Sequence, residues 1–301
     1  MSPPEPQFRC ADAARERSDP LVGSAPQARR WLLIEHPGPW RIDAVLGSGI
    51  AAGVLEVLIG NAQRSSTRVL LVRRPGRTVR TAERRWILAG PGTSIRTGGW
   101  RVDEDLLVPA EELTREAARS TAAPDPLLLV CTHGVHDTCC ALRGRPVAAS
   151  LAKRWPDAVW ECSHIGGDRF APNVVILPDG FYYGNLDPDG AVEVVGQHLA
   201  GAVPSAHLRG VARYSPPVQA AVAAAYERLA PLGPADVTVR TVDREEPLDR
   251  HGSQTTVELD IAGRLDPLRV DILSIRRPAA QLTCRAGRAT PATEYRVQAF
   301  G

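Results

Sequence analysis

Short apolar runs separated by turn-forming residues recur along the chain. Residues 31–35, 68–72 and 126–130 are such runs, and this pattern is typical of buried β-strands. Residues 140–155 and 218–229 instead repeat apolar positions at helical spacing. Because strands alternate with helices, the pattern predicts an α/β layer architecture.

Weaker patterns complete the predicted order of elements. They are a helix at 42–58, strands at 85–88 and 100–107, a helix at 111–120, strands at 159–162, 173–177 and 181–184, a helix at 191–199, and strands at 237–242, 255–261 and 268–275. In residues 126–199 the resulting order, β-α-β-β-β-α, fits a thioredoxin-like unit.

The same patterns divide the chain into four segments. These are an N-terminal arm (1–28), an α/β domain (29–120), a thioredoxin-like domain (124–210) and a small α+β domain (216–301), with a boundary in the stretch TAAPD at 121–125. The segment WLLIEHPGPW at 31–40 parallels LLLVCTHGV at 127–135. Two interpretations of the N-terminal domain follow: a degenerate copy of the thioredoxin-like domain, or a generic α/β similarity.

Composition narrows the classes of partner and the compartment. The formal net charge of the 301 residues is +2 with both signs interspersed, which gives no electrostatic reason to expect a nucleic-acid partner. The first 30 residues lack the apolar segment of a signal peptide, and no apolar run is long enough to span a membrane. We therefore expect a cytoplasmic protein with no membrane partner, whose cysteines are reduced thiols, ligands or catalytic groups rather than disulfides.

Residues that can bind metals crowd into about a tenth of the chain. They are Cys131, His133, His136, Cys139, Cys140, Cys162 and His164. Cys10 and Cys284 are isolated near the termini, and no chemistry is predicted for the C-terminal segment.

These candidate ligands belong to two sequence motifs. In CTHGVHDTCC (131–140), one cysteine closes a strand and another opens a helix, whose N-terminal N–H groups favour thiolate and sulfide. In CSHIGGD (162–168), Gly166 and Gly167 permit close backbone approach and N–H donation to sulfur. Thiolate with imidazole suits zinc or an iron–sulfur centre. The eight residues between Cys131 and Cys140 exceed the spacing of a zinc ligand pair, which favours a [2Fe–2S] cluster.

The strings CTHGVHDTCC and CSHIGGDRFAPNVVILPDG resemble the sucrase/ferredoxin-like family, and the similarity extends over roughly residues 8–200. Members of this family carry a thioredoxin-like ferredoxin domain, in which a C-x8-C pair and an H-x-G-G-H motif hold a [2Fe–2S] cluster. The resemblance implies that Cys131, Cys140 and His164 are cluster ligands. Asp168 stands where the family has its second histidine.

This departure leaves the fourth ligand open. Cys162 is the first candidate because thiolate binds ferric iron well, although residues i and i+2 of a strand lie about 6.7 Å apart. Asp168 and Cys139 are the alternatives. His133 and His136 are interpreted either as hydrogen-bond donors or proton carriers around the cluster, or as exposed loop histidines.

The resemblance and the ligand types together predict a ferredoxin-like electron carrier rather than a stand-alone enzyme. The chain has neither a dinucleotide fingerprint nor a P-loop, so its electron donor and acceptor are expected to be proteins. No carboxylate pair stands in a context that supports the sucrase reaction. Two alternatives remain: a thioredoxin-type thiol–disulfide protein using the adjacent pair Cys139 and Cys140, and a zinc-stabilised interaction module.

Overall fold

The computed structural model describes residues 7–76, 83–116, 125–247 and 252–301. The α-helices in these ranges are α1 (Cys10–Glu16), α2 (Ala52–Arg64), α3 (Leu107–Glu112), α4 (Thr138–Arg154), α5 (Pro188–Leu199) and α6 (Pro216–Arg228). The strands are β1 (Arg30–Glu35), β2 (Thr67–Arg73), β3 (Arg84–Ala89), β4 (Arg96–Trp100), β5 (Leu127–Cys131), β6 (Val159–Cys162), β7 (Val174–Leu177), β8 (Phe181–Tyr183), β9 (Leu208–Val211), β10 (Val237–Pro247), β11 (Gly252–Ile261), β12 (Leu268–Ala280) and β13 (Thr290–Phe300).

The first nine strands form one mixed sheet in which β1–β4 and β5–β8 have the same topology, and β9 extends the second half beyond β8. The strand order is β4-β3-β1-β2-β6-β5-β7-β8-β9. In each half the first two strands are parallel, the third pairs antiparallel with the first, and the fourth pairs antiparallel with the third. The predicted α/β class is therefore confirmed, with a thioredoxin-like unit and an N-terminal half that repeats its strand order.

The two halves join edge to edge through a short antiparallel contact. Val72 and Arg73 of β2 pair with Cys162 and Glu161 of β6. Arg73 also forms an ion pair of 2.8 Å with Glu161, so the junction is fixed by side chains as well as by backbone. Cys162, a predicted ligand, thus lies at the seam between the halves.

The helix that follows β5 begins at a residue suited to that position. The side chain of Asp137 caps α4 by accepting a hydrogen bond of 2.9 Å from the backbone N–H of Cys139. The cap sets the first turn of α4, which contains Cys139 and Cys140, directly against the end of β5.

Strand β5 contributes to the core on both faces of the sheet. Leu128 and Val130 belong to an apolar cluster with residues of α4, α5 and α6, whereas Leu129 and Cys131 belong to a second cluster that includes Trp31 of β1. Because side chains alternate along a strand, Cys131 continues the face begun by Leu129.

The last four strands form an antiparallel sheet in the order β10-β11-β12-β13, against which α6 packs. Three of these strands and α6 are predicted from the sequence. Strand β13 is not, because its side chains are mostly exposed or half-buried and leave no clear apolar alternation. The loop between β12 and β13 carries Cys284.

Three predicted elements differ from the structure. The predicted strand at 100–107 is wrong because the chain turns after Trp100, where the Asp105 carboxylate accepts hydrogen bonds from the N–H groups of Arg101 and Val102. The helix predicted at 42–58 begins only at Ala52, after Gly49 with its φ of +84°. The helix predicted at 111–120 instead occupies Leu107–Glu112; residues 117–124, which hold most of the predicted domain boundary, lie outside the described residues.

In the described ranges, the helices all fall short of the length and apolar character that a bilayer crossing requires.

His198 of α5 predicts a pH-dependent stability. Its ring is 3% exposed, lies 2.9 Å from the Tyr183 hydroxyl, and burial lowers its pKa to about 4. As the pH falls, His198 is therefore protonated near pH 6.5 in the unfolded chain and only at a lower pH in the folded chain. We expect stability to be lost as the pH falls from about 6.5 to about 4, by on the order of 2–3 kcal/mol.

Urea unfolding of the wild type and of His198→Gln at several pH values tests this. The difference between the two unfolding free energies should change over this window, because only the wild type carries the titrating ring. Parallel curves for the two proteins would contradict the prediction.

Candidate metal centre

Two strand–loop junctions of the thioredoxin-like half bring the predicted ligands together. Strand β5 ends at Cys131, and its parallel neighbour β6 ends at Cys162 in register with it, two residues before His164. Cys140 lies in the first turn of α4. Because the carboxyl ends of parallel strands meet at one edge of a sheet, these residues converge there.

Cys131, Cys140 and His164 form a compact group of donor atoms. Their sulfur and nitrogen atoms lie within 4.8 Å of one another. Both cysteines are 1% exposed. Cys140 and His164 hold the pKa of Cys131 well below its ordinary value despite burial. Cys131 is therefore the residue of this group most inclined to be a thiolate.

Asp168 adjoins the same group. Its Oδ1 accepts a hydrogen bond of 3.1 Å from the Cys140 thiol and lies 2.9 Å from Nδ1 of His164, without hydrogen-bond alignment at that nitrogen. Burial favours the protonated carboxyl, but His164 and Cys140 outweigh it and hold the pKa of Asp168 below its usual range. Burial likewise opposes protonation of His164, yet Asp168 and Cys131 raise its pKa to about 9.

The two remaining candidate cysteines lie elsewhere. Cys162 is fully buried and, among the described residues, does not join the group of Cys131; burial raises the pKa of its thiol. The sulfur of Cys139 lies 3.4 Å from that of Cys284. The adjacent thiols of Cys139 and Cys140 therefore face different groups.

The two glycines predicted beside the ligands shape the turn between His164 and Asp168. Gly166 and Gly167 have φ angles of +85° and +77°, a region that favours glycine. A Cβ on Gly167 would overlap the guanidinium of Arg209, which is fully buried and donates a 2.8 Å hydrogen bond to the carbonyl of Gly166. Arg209 thus holds this turn from behind.

The three histidines are arranged in a row. The ring of His136 stacks on that of His164 with centroids 3.8 Å apart, and the His133 ring lies 5.5 Å from that of His136. His133 is buried and accepts a hydrogen bond from the backbone N–H of His164 at Nδ1, so Nε2 carries its proton. Burial lowers the pKa of His133, which favours the neutral ring.

A loop from the N-terminal half covers this row. The carbonyl of Arg41 accepts a hydrogen bond of 2.7 Å from Nε2 of His133, and that of Ile42 lies 3.2 Å from Nδ1 of His136. Beside the loop, His136 and His164 line a shallow depression of about 190 Å³. The donor group of Cys131, Cys140 and His164 therefore comes nearest to the surface at His136 and His164.

Gly144 permits the close approach of α4 to β5. It lies one turn after Cys140, so both residues lie on one face of the helix. A Cβ at this position would overlap the carbonyl oxygen of Cys131. The absence of a side chain at Gly144 therefore lets α4 lie close to β5 and sets the separation between Cys131 and Cys140.

Several residues around the centre carry little or no signal in the sequence. Arg209 and the loop at 41–42 are distant in sequence and carry no motif. Cys10 and Cys284, which the sequence leaves isolated, contact Cys139 and Asp137. The one available signal was that both are cysteines in a chain with only six.

The donor set suits a thiophilic metal or cluster. Two buried sulfurs and an imidazole nitrogen converge, and Asp168 places a carboxylate oxygen beside Cys140 and His164. Within the described ranges, Nδ1 of His164 makes no aligned hydrogen bond. Such soft and intermediate donors favour iron–sulfur clusters or zinc over the oxygen-binding metals.

Comparison with known proteins gives one family and one group of structures. A family model described as Sucrase/ferredoxin-like matches residues 21–210. The chain is similar to a thioredoxin-like [2Fe–2S] ferredoxin from Aquifex aeolicus, with 22% identity over 30% of this chain and 94% of the other, and a TM-score of 0.26. A cysteine-to-serine variant of that ferredoxin gives 21% identity, 28% and 97% coverage, and a TM-score of 0.25. None of the curated proteins matches the chain.

Proposed function

Since the chain belongs to the sucrase/ferredoxin-like family, we propose that it binds one [2Fe–2S] cluster and serves as an electron carrier between partner proteins. The observation that carries the proposal is the convergence of Cys131, Cys140 and His164 within 4.8 Å at the end of β5. The proposed ligands are these three residues and Asp168.

Asp168 is proposed as the fourth ligand because of its position. It occupies the place of the second histidine in the family pattern and lies beside both Cys140 and His164. Cys162 lacks both properties: it does not occupy that place, and among the described residues its sulfur belongs to none of the groups of clustered donor atoms, whereas Asp168 shares a group with His164.

A bound [2Fe–2S] cluster would supply reversible uptake of one electron. The protein's own residues do the rest. Cys131 and Cys140, buried to 1% exposure, exclude water from the sulfur side. His164, with its side chain 25% exposed, and His136, stacked on it, form the short route to the surface. We propose that partner proteins dock at the depression beside these two rings.

The thiol–disulfide alternative has less support from the geometry. A thioredoxin-type mechanism needs two thiols that can approach each other, whereas those of Cys139 and Cys140 are directed to separate groups. The zinc alternative for this centre fits the same donors, and metal analysis distinguishes it.

The test is anaerobic purification or reconstitution followed by visible spectroscopy and by iron and sulfide analysis. Wild type should be red-brown, with two irons and two acid-labile sulfides per chain, while Cys131→Ser should lose both. Cys162→Ser is the matched control and should keep both, because Cys162 is an equally buried cysteine that belongs to none of the groups of candidate donors among the described residues. A colourless wild type that holds zinc at this centre, or no metal after reconstitution, would overturn the proposal.

A further inference from the structure

Three cysteines that are far apart in sequence meet on the side of α4 away from the proposed cluster. The sulfur of Cys284 lies 3.4 Å from that of Cys139 and 3.5 Å from that of Cys10. Cys10 comes from α1, Cys139 from the start of α4, and Cys284 from the loop between β12 and β13. Three separate parts of the chain thus contribute one thiol each to the same cluster.

The sulfur separations match metal ligation better than disulfide bonding. A disulfide needs about 2.05 Å between sulfurs. Four ligands around zinc, with Zn–S distances of about 2.3 Å, place sulfurs roughly 3.8 Å apart. The observed values of 3.4 and 3.5 Å lie near the second figure, and they hold for a set of three thiols rather than a pair.

Asp137 supplies a fourth donor in a fixed orientation. Its carboxylate accepts hydrogen bonds from the backbone N–H groups of Cys139 at 2.9 Å and Cys284 at 2.7 Å. Both of its oxygens lie 3.5 Å from the sulfur of Cys10. One donor atom from each of the four residues lies within 4.8 Å of all the others.

The environment resembles that of a structural site. Cys10, Asp137 and Cys139 are at most 1% exposed, and Cys284 is half-buried. The backbone N–H of Cys10 donates to the sulfur of Cys284 at 3.4 Å, the kind of contact that steadies a thiolate ligand. All four donors come from the protein, so the site would be closed, as structural zinc sites are.

We propose that Cys10, Cys139, Cys284 and Asp137 form a second, mononuclear metal site that binds zinc. The site fastens the N-terminal helix and the C-terminal sheet to the helix that carries Cys140. It is independent of the proposed function, since it shares no ligand with the [2Fe–2S] centre. Because metal binding to such a site contributes to folding, loss of the ion should loosen both ends of the chain.

The first test measures zinc and iron per chain by mass spectrometry of the full-length protein. Wild type and Cys131→Ser should each hold about one zinc, whereas Cys284→Ser should hold at least tenfold less and retain its iron. Cys284 is chosen because it is half-buried in a loop, where serine is tolerated most easily.

A second measurement needs no variant. In the wild type, Cys10 and Cys284 should resist alkylation until a zinc chelator is added, and then react. Absence of zinc from the wild type, a disulfide between any two of the three cysteines, chelator-independent alkylation, or loss of zinc in Cys131→Ser but not in Cys284→Ser would each overturn the proposal.

Discussion

Asp168→His should raise the midpoint potential of the proposed cluster by about 100 mV or more while the cluster is retained. The substitution restores the second histidine of the H-x-G-G-H pattern. Two thiolates, one carboxylate and one imidazole carry three negative charges, and the change removes one of them. A less negative centre accepts an electron more readily, as in the Rieske centres, where histidines replace cysteines. Redox titration followed by visible absorption or electron paramagnetic resonance measures the shift.

Two further variants separate the candidates for the fourth ligand. Asp168→Ala should lose most of the cluster, because the carboxylate is replaced by a methyl group. Cys162→Ser should leave both the spectrum and the potential near those of the wild type, because Cys162 lies outside the donor group. A shifted spectrum in Cys162→Ser together with an unchanged potential in Asp168→His would move the assignment to Cys162.

Gly144→Ala should destabilise the protein by about 2–3 kcal/mol and prevent normal cluster assembly. Alanine in the middle of a helix is ordinarily preferred over glycine by up to about 1 kcal/mol. Here the added Cβ would overlap the carbonyl oxygen of Cys131, a backbone atom that cannot rotate away. To relieve the overlap, α4 must move, and Cys140 moves with it. Unfolding curves and iron content measure the two effects.

Gly196→Ala is the matched control. Gly196 lies within α5, and a Cβ there would meet only Cη2 of Trp155 at 3.9 Å, an ordinary contact. We expect this variant to be as stable as the wild type or slightly more so, with full iron content. If the two alanine variants behaved alike, the close approach at Gly144 would not be what positions Cys140.

The sequence predicts the thioredoxin-like half well because its signals are local. Strand β5 is a run of apolar residues that ends at Cys131, and apolar positions at helical spacing mark α4. The pairing of Cys131, Cys140 and His164 follows from two motifs placed at neighbouring strand ends. Each motif consists of a few neighbouring residues, so it can be recognised from one sequence.

Other features depend on contacts between distant segments and leave no local signal. Arg209, which supports the turn of Gly166 and Gly167, looks like any other arginine in the sequence. The meeting of Cys10 with Cys284 requires the arm, α4 and the last loop to be placed first. The thiols of Cys139 and Cys140 likewise face different groups because of how α4 is rotated about its axis. The fact that the two residues are adjacent in the sequence does not determine that rotation.

The repeated strand order of the large sheet explains how His133 and His136 are covered. The loop at 41–42 follows β1, just as the loop with His133 and His136 follows β5, so equivalent positions of the two halves meet. If the halves were separate subunits, dilution would remove the cover from the histidines. Joined in one polypeptide, the covering loop is held at an effective concentration on the order of millimolar. The environment of His133 and His136 is therefore the same at every protein concentration, and measurements on dilute samples describe the same covered centre as those on concentrated ones.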